Sequence, residues 1–189
     1  MKSNYCFDLS IPVLHPLKDP SILNQTGDLA EIWFAEHSNV SDQFTAWLDS
    51  LDLVMTYPPL IFYTPTGKQC GIHIDGDGQL LDRACMNWCV HGSGSLMHWY
   101  TIKNNQTPFE NTKTQAGTPY VQYHPSQVNH IHSQSVNWPS IVQTGIPHNI
   151  HNSTFEPRWV LSCDISFKSA PESGMTMAQA LGVFKPWIS

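Results

Sequence analysis

The sequence predicts a mainly β protein, an antiparallel sandwich or barrel with helices at its flanks. Three observations carry this. From Leu53 onward the chain breaks into short apolar or alternating runs separated by Gly, Pro, Asn and Ser. Helical periodicity is confined to the first fifty residues and the C-terminal end. With 41% hydrophobic and only 13% charged residues, a chain of 189 can bury one sizeable core but not comfortably two. The division expected is a helical flank over 1–52, a β core over 53–168 and an extension over 169–189, all in one domain.

In chain order, Asp19-Pro20 opens a helix that runs through Trp33 and Phe34. Phe44, Trp47, Leu48 and Leu51 then repeat at i, i+3, i+4 and i+7 behind Ser41 as N-cap, giving a helix with a core-facing stripe. Strands follow at 60–64, 70–75, 83–90, 96–102, 119–123, 130–136, 140–144, 148–152 and 158–166. The stretch from His91 to Ser95, with Gly92 and Gly94, reads as a hairpin turn. A last helix spans 176–184.

Several classes are excluded or disfavoured. A net charge of −6 argues against a general nucleic-acid binder, which concentrates Lys and Arg on one face. The longest apolar stretch, 57–63, holds two prolines and is far too short for a membrane span. No apolar leader segment precedes Asp8. The five cysteines form no CxxC pair, and Cys85 and Cys89, four apart in a predicted strand, stand roughly 13 Å apart, beyond disulfide reach. A reduced, cytoplasmic setting is expected.

Histidine is the unusual residue, with ten in the chain. In Gly71-Ile72-His73-Ile74-Asp75-Gly76, an imidazole and a carboxylate stand at i and i+2 of one strand, so both can point at one metal ion. Alone, this pair is also what an ordinary surface strand produces. A second run gives it weight. His148, Ile150 and Asn152 share a strand face, and Arg158 follows His148 by ten residues across a short turn. His151 falls on the opposite face and is the poorer ligand. Two histidines and one carboxylate form the facial triad of non-haem Fe(II) oxygenases, which leaves room for a chelating 2-oxo acid. Such an acid needs a fixed cation for its far carboxylate, and guanidinium suits this better than ammonium.

With His73-x-Asp75, His148-x-Ile150-x-Asn152 and Arg158 in place, the sequence resembles the Fe(II)/2-oxoglutarate-dependent dioxygenase superfamily over about residues 57–167. The lead-in from Tyr63 through Gly67 to His73 is similar to that of prolyl hydroxylase-like members. The run Arg83-Ala84-Cys85-Met86-Asn87-Trp88 is similar to a strand of aspartyl/asparaginyl β-hydroxylase-like members. The resemblance implies a double-stranded β-helix (jelly roll, cupin-like) core. It implies Fe(II) held by His73, Asp75 and His148, and 2-oxoglutarate held through Arg158. The activity implied is hydroxylation of a small-molecule or peptidyl substrate with release of succinate and carbon dioxide. One departure stands out: the Ser or Thr that many members carry two residues after the arginine is here Val160. Asn87 and Tyr63 are the candidates to assist Arg158. Arg83 joins them if the Arg83, Cys85, Asn87 and Cys89 face points inward; the opposite phase puts Trp88 inside instead.

Other residues have plainer readings. His130-x-His132 is read as a polar strand near the pocket rim rather than a second metal pair. Trp99, Trp138 and Trp159 are read as core rather than substrate platform, and Cys85 and Cys163 as buried small hydrophobes rather than nucleophiles. Two rival functions remain. One is a cupin-like metalloprotein that binds a divalent ion without 2-oxoglutarate; the other is a non-catalytic β module. Substrate identity and oligomeric state are left open by the sequence.

Overall fold

The computed structural model describes residues 4–13, 15–23, 28–104, 106–137 and 139–189. The elements run β1 (Cys6–Asp8), β2 (Glu31–Phe34), α1 (Asp42–Ser50), β3 (Leu53–Met55), β4 (Leu60–Thr64), β5 (Ile72–Asp75), β6 (Arg83–His91) and β7 (Leu96–Ile102). They continue with β8 (Glu110–Lys113), β9 (Pro119–Tyr123), β10 (Val128–Ser135), β11 (Ser140–Gln143), β12 (His148–His151), β13 (Arg158–Cys163), β14 (Ile165–Phe167), β15 (Met175–Thr176) and α2 (Met177–Phe184).

A seven-stranded sheet has the order β1-β11-β6-β13-β4-β2, with β15 also on β6, and a six-stranded sheet the order β10-β7-β12-β5-β9-β8. The described ladders are antiparallel. From β4 to β7 the chain alternates between the sheets, and it alternates again from β10 to β13. This winding is a double-stranded β-helix, or jelly roll, in which β4-β13-β6-β11 faces β5-β12-β7-β10. Cys85 and Val142 from the larger sheet pack with Met97 and Trp99 from the smaller one, and the Trp99 indole N–H donates to the Gln143 carbonyl at 2.8 Å.

The opposite face of the larger sheet carries Ile61, Tyr63, Met86, Trp88, Trp159 and Leu161, and there α1 and α2 lay down Phe44, Trp47, Leu48, Ala180 and Phe184. Ser41 caps α1 by accepting the Phe44 N–H at 3.3 Å, and Thr176 with Gln179 forms a capping box at α2. Among the described residues, no helix is long and apolar enough to cross a membrane.

Three local expectations are corrected. The helix expected from Asp19 to Phe34 is instead a single 3-10 turn at Pro20–Ile22 followed by strand β2, with residues 24–27 outside the described set. Trp33 and Phe34 extend the sheet beside β4 because their ladder partners, Ile61 and Leu60, are already in place. Strand β8, Glu-Asn-Thr-Lys, had no apolar alternation to reveal it; hairpin pairing with β9 creates it. A bulge between His130 and His132 shifts the β10 register, so these two histidines do not share a face. Trp138 lies outside the described residues.

Candidate metal centre

Strands β5 and β12 are neighbours, and His148 pairs directly with His73. Residues on one side of β5 (Ile72 and Ile74) join an apolar cluster, which turns His73 and Asp75 toward the space between the sheets. His148 shares that side with its other cross-strand neighbour, the inward Trp99. The two imidazole centroids are 4.4 Å apart. Asp75 Oδ1 lies 3.4 Å from His73 Nε2 and 3.9 Å from His148 Nε2. Among the described residues this is the group of three His, Cys, Asp or Glu side chains whose ligand atoms all lie within 4.8 Å of one another. Three facial ligands held 2.0–2.2 Å from one ion stand about 3 Å apart, so small side-chain rotations complete the site.

The tautomers are set for this. His73 Nδ1 bonds the Gly71 carbonyl at 2.8 Å and His148 Nδ1 the Ile146 carbonyl at 2.9 Å. Both Nδ1 atoms therefore carry a proton, and both Nε2 atoms are turned toward Asp75 as the ligand positions, His73 Nε2 once it gives up the second proton that Asp75 holds on it. His148 is the most enclosed of the three side chains, with 4% exposure, against 17% for His73 and 29% for Asp75, so the site opens on the carboxylate side. Burial, then the neighbouring His73, holds the His148 pKa down at about 4. Burial also opposes charge on His73, but Asp75 and Cys70 overcome it and raise its pKa. The Asp75 carboxyl, against its own desolvation, is pulled down to about 2 by His73 and then His148.

Arg158 opens β13 opposite Thr64 of β4 and is 2% exposed. Among the described residues no carboxylate lies within ion-pair distance of it, and its Nε has no hydrogen-bond partner. Burial lowers its pKa, against the sulfurs of Cys89 and Cys70. Cys70 is within electrostatic reach of both His73 and Arg158, which together lower its pKa against its burial.

Asn152 builds the turn that delivers Arg158. Its amide donates to the carbonyls of Thr64 at 3.0 Å and Glu156 at 2.9 Å. Its oxygen accepts from Ser95 Oγ at 3.0 Å and Thr154 Oγ1 at 2.7 Å. Gly92, at φ +75°, lets the β6–β7 hairpin lie against this turn: a Cβ there would sit 2.7 Å from Arg158 Cα.

The other sequence candidates fall in different places. Asn87 faces the inter-sheet space, since its neighbour Cys85 packs there, and is 8% exposed with Oδ1 unpartnered. It is level with Ser162, however, four residues along β13 from Arg158. Trp88 is inside as well, on the helix-covered face, because both faces of β6 are buried. Tyr63 lies on that helix-covered face, its ring centroid 4.7 Å from Trp159, and so does not reach the side that carries Arg158. Arg83 is ion-paired with Asp164, roughly 20 Å along β13 from Arg158 by strand rise, and its guanidinium lies against Gly76, where it helps to lower the Asp75 pKa; it stands beside the metal ligands and not beside Arg158. The residue directly opposite Arg158, and so on the same sheet face, is the buried Thr64, which the sequence reading did not single out. Only knowledge of the β4–β13 register could have found it.

No family model matches the chain. No curated protein matches its sequence. Among solved structures it is similar to vicilin from Corylus avellana (hazelnut), with 11% identity and a TM-score of 0.37, over 78% of this chain and 31% of that one. It is similar to peruvianin-I, a cysteine peptidase from Thevetia peruviana latex, with 11% identity and a TM-score of 0.37, over 87% of this chain and 89% of that one. The chain thus spans less than a third of the vicilin it matches. The fold assignment rests on strand order and register, which define a jelly-roll protein with a candidate site for one divalent metal ion.

Proposed function

We propose that the protein is an Fe(II)- and 2-oxoglutarate-dependent oxygenase acting on a small-molecule or peptidyl substrate. The supporting observation is the buried, carboxylate-free guanidinium of Arg158 behind a two-histidine, one-carboxylate group. A buried cation without an internal counter-charge is costly, and an incoming carboxylate removes that cost.

In this reading His73, Asp75 and His148 hold the metal on one face, their lone pairs fixed by the Gly71 and Ile146 carbonyls. Arg158 takes the far carboxylate of the cosubstrate in a bidentate grip, with the Thr64 hydroxyl beside it in place of the one missing at Val160. Asn87 Oδ1 offers an acceptor to whatever enters between the sheets. The metal with 2-oxoglutarate supplies, when bound, the oxidising power to hydroxylate an unactivated C–H bond, with succinate and carbon dioxide released. The chain itself orients the partners and keeps water from the inner end.

Anaerobic titration of the Fe(II)-loaded protein with 2-oxoglutarate, followed by succinate measurement in air, tests this. Saturable binding that Arg158→Gln weakens at least tenfold, with metal content unchanged, is expected. Equal binding by wild type and Arg158→Gln overturns the cosubstrate assignment. It then favours the second reading, a cupin-like metalloprotein that works without 2-oxoglutarate. Val160 at the usual hydroxyl position and the capture of Arg83 by Asp164 are the observations on that side.

A further inference from the structure

We infer that the substrate of the metal site is a small uncharged molecule with an aliphatic or aromatic hydrocarbon group, held beside the metal by the inner faces of β2 and β4. Calling it a substrate rests on the oxygenase reading; the cleft itself follows from the strands. On β4, Ile61 and Tyr63 pack against the helices, so alternation turns Leu60 and Phe62 toward the space between the sheets. On β2, Trp33 shares the helix-covered face with its partner Ile61, whereas Ile32 and Phe34 pair with Phe62 and Leu60 and point inward with them. These four apolar side chains are half-buried, and none belongs to an apolar cluster of the core among the described residues.

The band they form faces the metal site. Tyr120 pairs with Asp75 and so stands on the ligand side of β9, its ring edge-on to His73 with 5.8 Å between centroids. Thr112 pairs with Tyr120 and continues that side onto β8. The turn between β8 and β9 reaches the larger sheet, where Gln115 Oε1 accepts the Ile32 N–H at 2.9 Å. Tyr120 and Thr112 therefore form the wall across from β2 and β4. Leu60 pairs with Ser162, two residues before Asp164, whose partner Arg83 lies against Gly76. The Leu60 end of the band is thus the Asp75 end, on which the site opens. There Phe34 meets the ring of Tyr57, 49% exposed at the rim, at 5.8 Å.

Hydrocarbon that displaces water from such a band gains roughly fourfold in affinity per buried methylene. Charge points the same way. Arg83 is engaged by Asp164, and the hairpin wall carries Glu110, exposed and level with Gln122, which disfavours an anion. An extended peptide would pair with the free edge of β2, but Gln115 already takes an N–H on that edge. A small molecule fits the cleft without that edge.

Ligand NMR titration of the full chain in zinc(II) with n-butanol, n-hexanol and the hexanediol with a hydroxyl at each end tests the cleft without turnover. Saturable binding of n-hexanol is expected, with n-butanol and the diol each about tenfold weaker or more. Phe62→Ala should weaken n-hexanol about fivefold, and Leu181→Ala, on the exposed side of α2, should leave it unchanged. If Phe62→Ala does not fold, Leu60→Ala carries the comparison. Absence of saturable binding, or binding that the band variants leave unchanged, overturns the inference. So does displacement of n-hexanol by N-acetyl-trileucine amide at lower concentration, which makes the occupant a peptide. Phe62-dependent binding in a chain that takes up no 2-oxoglutarate supports the cleft and overturns the oxygenase reading alone.

Discussion

His73 and His148 face each other in register, yet their protonation is pulled in opposite directions. A divalent ion needs both imidazoles neutral. His148 meets that condition above about pH 4, whereas His73 holds its proton beyond its ordinary range because Asp75 and Cys70 outweigh its burial. Affinity at the triad is therefore expected to rise about tenfold per pH unit until His73 deprotonates, and then to level off. Competition titrations with a chromophoric chelator between pH 5.5 and 8.5 (roughly the range that spans an ordinary imidazole) measure this. In the metal-free protein, the His73 contribution to stability is present below the unfolded value of 6.5 and is lost as pH rises through the raised folded value. The His148 contribution runs the other way, becoming a cost as pH falls from 6.5 through about 4. Arg158→Lys should restore only part of the 2-oxoglutarate affinity lost in Arg158→Gln, since an ammonium keeps the charge but not the fork. Calorimetric titration of the two variants side by side checks it.

Two short connections do most to set the inner end of the jelly roll. The β12–β13 turn is organised by Asn152, wholly buried, which ties β4, the β6–β7 hairpin and the turn itself into one hydrogen-bonded knot. Asn152→Ala leaves those groups unpaired and should cost about 2–4 kcal/mol in denaturant unfolding. It should also loosen Arg158 and weaken 2-oxoglutarate binding while sparing the metal ligands. Gly92→Ala should be comparably damaging, about 2 kcal/mol or more, because a positive φ and a backbone atom at 2.7 Å both oppose the added methyl. Equal unfolding midpoints for wild type and Gly92→Ala would contradict the close approach. Strand β12 presents His148 on its inner side, in the triad, and His151 on its outer side, beside His98.

At the scale of the molecule, the triad joins adjacent central strands of the smaller sheet, while the apolar mass lies on the far side of the larger one. Metal at the triad therefore clamps β5 to β12 and stabilises the folded state by mass action. At a metal concentration one hundred times the dissociation constant the gain is about 2.7 kcal/mol, or about 5–10 °C in melting temperature. Chelator should reverse the shift, and His148→Ala should abolish it. Calorimetric scans with and without zinc provide the comparison.

Local sequence determined more of the inner site than of the fold's edges. Alternation is a property of the extended backbone itself, so His73 with Asp75, and His148 against His151, were placed on their faces by spacing alone. The stripe Phe44, Trp47, Leu48 and the cap at Ser41 were legible for the same kind of reason, since a helix needs only its own periodicity and first turn to declare itself. What only the tertiary structure decided is pairing across long sequence separations. Strand β2 is a strand because β4 offers it hydrogen bonds, and β8 because β9 does. The bulge at Ile131 separates two histidines that simple alternation places together. Thr64 stands opposite Arg158 although 94 positions separate them, while Arg83 lies beside Gly76 and Asp75 instead of Arg158, and Tyr63 belongs to another face. Register is set by the summed burial of whole strands against their neighbours, and no short window of the chain contains that sum.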